Sequence, residues 1–173
     1  RYTAAQRRLY DVVLESQLAA IAMTRPGATI EDIYLESARV LTRGMVALGL
    51  LHGDPEELIA RGEHKRYYLH RCSHFLGLDV HDVGLYFPRT KNADAAATYE
   101  PRVLEPGMVI TVEPGLYIPR SAEVPPGAED YRGLGIRIED DILVTASGPE
   151  VLTAGLTKDP AELERIVGTG ATL

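Results

Sequence analysis

The chain has 173 residues, 45% hydrophobic and 25% charged, with a formal net charge of −7, which supplies enough apolar material for one domain with a real core. That acidic balance, without a basic stripe to neutralise phosphates, argues against a nucleic-acid electrostatic footprint. No apolar run approaches the ~18 residues of a membrane span. No signal peptide is legible, and the lone Cys72 cannot form an internal disulfide, so the expected setting is reducing and cytoplasmic.

In chain order, helices come first. Thr3 to Gln6, "TAAQ", has the form of a capping box, and Leu9, Val13 and Leu18 follow near helical spacing until "TRPG" breaks the run. "TIED" (Thr29 to Asp32) opens a second helix with Ile33, Val40, Leu41 and Leu48 as its apolar positions, ending near Gly49. "DPEELIARG" predicts a short third helix, with Asp54 as N-cap and Pro55 in its first position. From Arg66 onward the pattern turns to strands: "YYLH", "MVITVEPGLYI" and "GIRIEDDILVT" are β-rich runs bounded by Gly and Pro. Between the last two, "PRSAEVPPGAEDYRGL" reads as a long loop, and "DPAELERIV" closes the chain as a helix capped by Asp159.

The strands carry the first chemical hint. Alternation places Thr111 and Glu113 on one face of their strand, opposite Ile110 and Val112. In the same way Arg137, Glu139 and Asp141 share a face opposite Ile136, Ile138 and Ile142. A solvated sheet face with a weak Arg137–Glu139 pair would show the same pattern. The histidines add to it: His70, His74 and His81 are three of the chain's five, within fifteen residues. Imidazole and carboxylate around one point suit a divalent ion such as Mn²⁺, Zn²⁺ or Co²⁺. His52 and His64, in polar connecting segments, read as hydrogen-bonded structural residues, and Asp79, Asp82, Asp140 and Asp141 as turn or solvated-face residues.

"HRCSHFLGLDVHDVG", then "LEPGMVITVEPGLYIP", then "GIRIEDDILVT" resemble, in order, the catalytic domain of Xaa-Pro aminopeptidase (aminopeptidase P) of the bacterial type. The resemblance implies an α+β pita-bread (creatinase/aminopeptidase-like) fold, a curved antiparallel sheet with helices on its outer face. It implies two divalent metal ions, usually Mn²⁺, with Zn²⁺ or Co²⁺ as alternatives. The activity implied is hydrolysis of the bond between an N-terminal residue and a following proline, by a water bridging the two metals. The partners implied are peptides with proline in second position and further copies of the chain, as a dimer or tetramer.

Carried onto this sequence, the resemblance makes His74, Glu113 and Glu139 metal ligands, with Glu139 bridging and Glu113 also the general base. His70 and His81 correspond to histidines that hold substrate and the developing tetrahedral intermediate. Arg137 corresponds to an arginine bracing the metal carboxylates, and Tyr117 to a tyrosine at the edge of the site. Prolidase, which acts on dipeptides, and a non-catalytic pita-bread module that binds peptides or proteins are the alternative readings; retention of all three matched ligands favours catalysis. Two departures stand out. Arg71 occupies a position that is usually glycine, and Cys72 one that is usually apolar, where a buried thiol would act as a small hydrophobe. The two aspartate ligands that the resemblance implies belong to a segment upstream of the first helix. Residues 1–173 are therefore expected to form most of one catalytic domain, lacking its first β-hairpin and its N-terminal domain. Alone, this piece is expected to bind at most one ion weakly, to be inactive, and to leave Leu9, Val13 and Ile33 short of packing partners.

Overall fold

The computed structural model describes residues 1–90 and 98–167. Helix α1 (Ala4–Met23) starts at Thr3, whose hydroxyl accepts from the Gln6 amide while the Gln6 side chain accepts from the Thr3 backbone. Thr29 and Asp32 make the same reciprocal cap on α2 (Ile30–Ala47), so both helices begin where orphan amides are satisfied locally. Gly49, with φ 73°, lies just past the end of α2. Asp54 caps the short α3 (Pro55–Ala60) through the amides of Glu56 and Glu57. A 3₁₀ turn, Glu63–Arg66, follows.

The two long helices pack together closely at Gly44, where an added Cβ would lie 2.2 Å from Val12 Cγ1. Leu9, Val13 and Ala20 of α1 and Ile33, Leu41 and Met45 of α2 face the core. Leu18 does not: it is 59% exposed, and Gln17 is fully buried in its place. The inward stripe runs from Leu9 through Val13 to Gln17 in steps of four, and Leu18 lies one residue, about 100°, off it. Leu9, Val13 and Ile33 are each fully buried, contrary to the expectation that they would lack cover.

The strands are β1 (Arg89–Thr90), β2 (Thr98–Tyr99), β3 (Val109–Val112), β4 (Gly115–Tyr117), β5 (Gly135–Arg137), β6 (Asp140–Thr145) and β7 (Gly148–Val151). Helix α4 (Pro160–Ile166), capped by Asp159, closes the described chain. β1 pairs with β2, β3–β6–β7 form one antiparallel sheet, and β4 pairs antiparallel with β5. Each of the two long runs expected as single strands is thus interrupted, at Glu113–Pro114 and at Ile138–Glu139. Pro114 has no N–H to give the ladder, although its carbonyl accepts from the Ile138 amide at 3.3 Å. The register is the same on both sides: Val112 pairs with Asp140 before the break, and Gly115 with Arg137 after it.

"YYLH" is not a strand. The amides of Tyr67 and Tyr68 close onto the His64 carbonyl at the end of the 3₁₀ turn, which sends both rings into the core, each 1% exposed. The run from Pro119 to Leu134 is irregular apart from a 3₁₀ turn at Glu129–Tyr131.

Candidate metal centre

The segment after Tyr68 lies along the free side of β3. Glu113 N donates to the Cys72 carbonyl (2.7 Å), Thr111 N to the His74 carbonyl (2.9 Å), and Leu76 N to the Val109 carbonyl (3.1 Å). These bonds place His74 beside β3, on the side away from β6. Because the ladder keeps its register across the break, Glu113, just past the end of β3, lies opposite Glu139, just before β6. Three chain segments therefore deliver His74, Glu113 and Glu139 to one point, with a ligand atom from each lying within 4.8 Å of the others.

The donor set is suited to a cation. His74 Nδ1 lies 2.9 Å from the Phe75 carbonyl, and a carbonyl only accepts, so Nδ1 carries the ring proton. In neutral His74, Nε2 then presents a lone pair to Glu113 Oε1 at 3.2 Å. Two electron-rich atoms facing one another are reconciled by a positive charge between them, and a ligating histidine anchored by its other N–H is the usual arrangement at metal sites. The carboxylates add to this: although Glu139 is exposed, partial desolvation, and after it the nearby charges of Glu113 and Asp141, raise its pKa above the ordinary 4.5. Imidazole plus two carboxylates fits Mn²⁺, Zn²⁺ or Co²⁺.

Behind the carboxylates runs a directional hydrogen-bond chain. Arg137 Nη1 pairs with Glu113 Oε2 at 3.4 Å, and Arg137 Nε donates to the Tyr117 hydroxyl at 2.8 Å. The Tyr117 hydroxyl lies 3.0 Å from His70 Nε2, and His70 Nδ1 lies 2.7 Å from the Arg71 carbonyl. That carbonyl fixes the proton on Nδ1, so in neutral His70 it is Tyr117 that donates to Nε2. Gly115 makes room for this: a Cβ there would meet the Tyr117 hydroxyl at 2.8 Å. His81 is exposed and sets its ring edge-on to His74, with centroids 4.4 Å apart.

The two departures from the expected pattern are absorbed. No non-glycine residue among those described has a positive φ, so Arg71 sits on ordinary backbone. Its guanidinium stacks 4.4 Å from the Tyr34 ring and pairs with Glu31. Cys72 is fully buried, and burial pushes its thiol up to about 11; it behaves as a small hydrophobe. His64 is buried and bonded to the Tyr34 hydroxyl at 3.0 Å, with burial lowering its pKa, while His52 is exposed.

Asp140 is a correction. It is 4% exposed and receives Gln17 Nε2 at 2.8 Å, the Thr153 hydroxyl and Lys158 Nζ, far from a solvated-face residue. The alternation that put Ile138 and Ile142 inward includes Asp140 between them, and that signal was available. Thr111 shares a face with Glu113 and bonds to both His74 and Glu113; sequence reasoning gave it no role.

Comparison with known proteins places the chain among relatives. Xaa-Pro aminopeptidase from Escherichia coli is 50% identical over 167 residues, covering 96% of this chain and 35% of the relative. The structure of E. coli aminopeptidase P with the inhibitor Pro-Leu superposes with a TM-score of 0.83 at 50% identity, covering 95% of this chain and 35% of that one. The zinc-substituted E. coli enzyme in complex with product gives the same TM-score and identity, over 95% and 34% of the two chains. The chain thus spans about a third of the length of these relatives. The sequence profile of metallopeptidase family M24 matches residues 1–146, most of the molecule, and the chain belongs to that family.

Proposed function

We propose that this chain supplies the His–Glu–Glu half of the metal centre in an Xaa-Pro aminopeptidase of pita-bread fold, which removes an N-terminal residue from in front of proline. The observation that carries the reading is the convergence of His74, Glu113 and Glu139 within 4.8 Å, on a chain half identical to an Xaa-Pro aminopeptidase. His74, Glu113 and Glu139 would hold the metal, with Mn²⁺ the first choice and Zn²⁺ or Co²⁺ the alternatives. A bound divalent ion supplies Lewis acidity toward a water and the scissile carbonyl.

The chain's own residues do the rest. Glu113 takes a proton from water as the water oxygen bonds to the carbonyl carbon. It returns that proton to the proline nitrogen, which has no hydrogen in the peptide and must gain one as the C–N bond breaks and the amine leaves. Arg137 holds Glu113 Oε2 in place at 3.4 Å. His81, at the exposed edge beside His74, offers a donor to the oxyanion. His70 and Tyr117, bonded to each other at 3.0 Å, form the wall against which the peptide is oriented.

The test uses the full-length protein that carries this chain, loaded with Mn²⁺, and two tetrapeptides that differ only in proline or alanine at position two. Release of the first residue is expected from the proline peptide alone, with chelator abolishing it. Glu113→Gln should lower the rate by at least about a hundredfold, the lower range for a general base. Equal cleavage of both peptides, or activity indifferent to chelator, would sink the proposal.

A further inference from the structure

We infer that Thr111 is a positioning residue of the metal centre, its hydroxyl coupling the backbone of His74 to the carboxylate of Glu113. The inference rests on the metal-centre reading above and adds a residue to it. In an antiparallel ladder, opposed residues of a hydrogen-bonded pair exchange both of their N–H···O bonds through the backbone. Thr111 and His74 exchange one in that way, from Thr111 N to the His74 carbonyl at 2.9 Å. The return bond is different: His74 N donates to the side-chain hydroxyl of Thr111 at 3.1 Å.

A hydroxyl has one proton and two lone pairs. With a lone pair engaged by the His74 amide, its proton is left for Glu113 Oε1, 3.2 Å away. Thr111 is 1% exposed and Glu113 7% exposed, so solvent has little access to replace the bond. Each carboxylate oxygen then has its own donor, Thr111 for Oε1 and Arg137 for Oε2. The carboxylate plane is set, and Oε1 is kept facing His74 Nε2 at 3.2 Å. Threonine's branched Cβ restricts χ1, which makes the hydroxyl a fixed strut. The strut links two ligands that come from different segments, one through its main chain and the other through its side chain.

The experiment uses the full-length protein that carries this chain, purified free of metal, as wild type, Thr111→Val and Thr111→Ser. Each is titrated with Co²⁺, following heat for affinity and visible absorption for ligand geometry, and the His74 amide is followed by hydrogen exchange without metal. Thr111→Val should bind Co²⁺ about tenfold to a hundredfold more weakly, the range for removing a partner of a metal ligand, while Thr111→Ser stays within about threefold of wild type. The valine variant should also shift the cobalt spectrum and expose the His74 amide to exchange; serine should do neither. Should valine fail to fold, Thr111→Ala carries the same expectation. Wild-type affinity and spectrum in the hydroxyl-free variant, even with a lowered melting temperature, would reduce Thr111 to packing and leave the metal-centre reading intact. Failure of the wild-type protein to take up Co²⁺ would overturn the centre itself, and Thr111's role with it.

Discussion

Asp140→Ala offers a sharp test of how the strand behind the site is anchored. The Asp140 side chain is 5% exposed and that of Lys158 19%. The substitution leaves a largely buried ammonium without its counter-charge and strips an acceptor from Gln17 Nε2 and from the Thr153 hydroxyl. Breaking a buried pair from one side costs about 3–5 kcal/mol. The partial exposure of Lys158 lets water screen its charge, which puts the expected loss at the lower end, about 3 kcal/mol. For a chain of this size each kcal/mol moves the melting temperature by about 2–4 °C, so the midpoint should fall by roughly 6–12 °C. Lys158→Met should also destabilise, because it leaves Asp140 buried with only neutral donors. The double variant should be more stable than the two single losses predict, by at least about 1 kcal/mol of coupling. Urea and thermal unfolding of the four proteins, metal-free and at one pH, measure this directly. Single losses below about 1 kcal/mol that simply add would refute the reasoning and put Asp140 back on a solvated face.

Three further outcomes follow from the site. Because the pKa of Glu139 is raised above 4.5, ionising it costs more in the folded chain than in the unfolded one; the stability it contributes is full below that ordinary value and is lost as pH rises through the raised one. Glu139→Gln should therefore raise the melting temperature of the metal-free protein at pH 7 and leave it unchanged at pH 4, and an equal effect at both would contradict this. With its thiol raised to about 11 by burial, Cys72 should resist a thiol reagent at pH 8 in the folded protein and react fully in denaturant; stoichiometric labelling of the folded chain would show the burial to be wrong. Arg71→Gly should cost about 1–2 kcal/mol, the sum of an exposed ion pair with Glu31 and a stacking contact with Tyr34, and leave metal affinity as it was, measured by unfolding and by cobalt titration.

Much of this architecture is legible in the sequence because its signals are local. Thr3 with Gln6, and Thr29 with Asp32, announce two helix starts through bonds three residues apart, and period-two alternation puts Glu113 beside Thr111 and Glu139 beside Arg137. The convergence of His74 with the two glutamates is not local. It depends on residues 72–76 lying along β3, and only the resemblance in motif order pointed to it. Asp140 was misread by its chemistry: a carboxylate suggests solvent, yet its place between Ile138 and Ile142 leads inward, where Lys158 and Gln17 wait on distant elements. Leu18 was misread the other way, as a hydrophobe counted inward although it stands one residue off the stripe. The tyrosines of "YYLH" have the composition of a strand, but the preceding 3₁₀ turn captures their amides.

The unbroken register on either side of Pro114 bears on which changes of length the molecule can accept. Ile118 N donates to the Leu134 carbonyl at 2.8 Å and Gly133 N to the Ile118 carbonyl at 2.7 Å, so the ladder is closed again before the loop between β4 and β5 begins. Residues can be gained or lost in the exposed parts of that loop, away from the buried Ala128 and Tyr131, while Glu113 keeps facing Glu139. A single residue added between Val109 and Tyr117, or between Gly135 and Thr145, has no such freedom: it moves one side of the ladder by one step and turns a carboxylate to the opposite face. Length variation in descendants of this chain should therefore collect in the loop and spare both arms, as it would in a hinge whose pin is allowed no play.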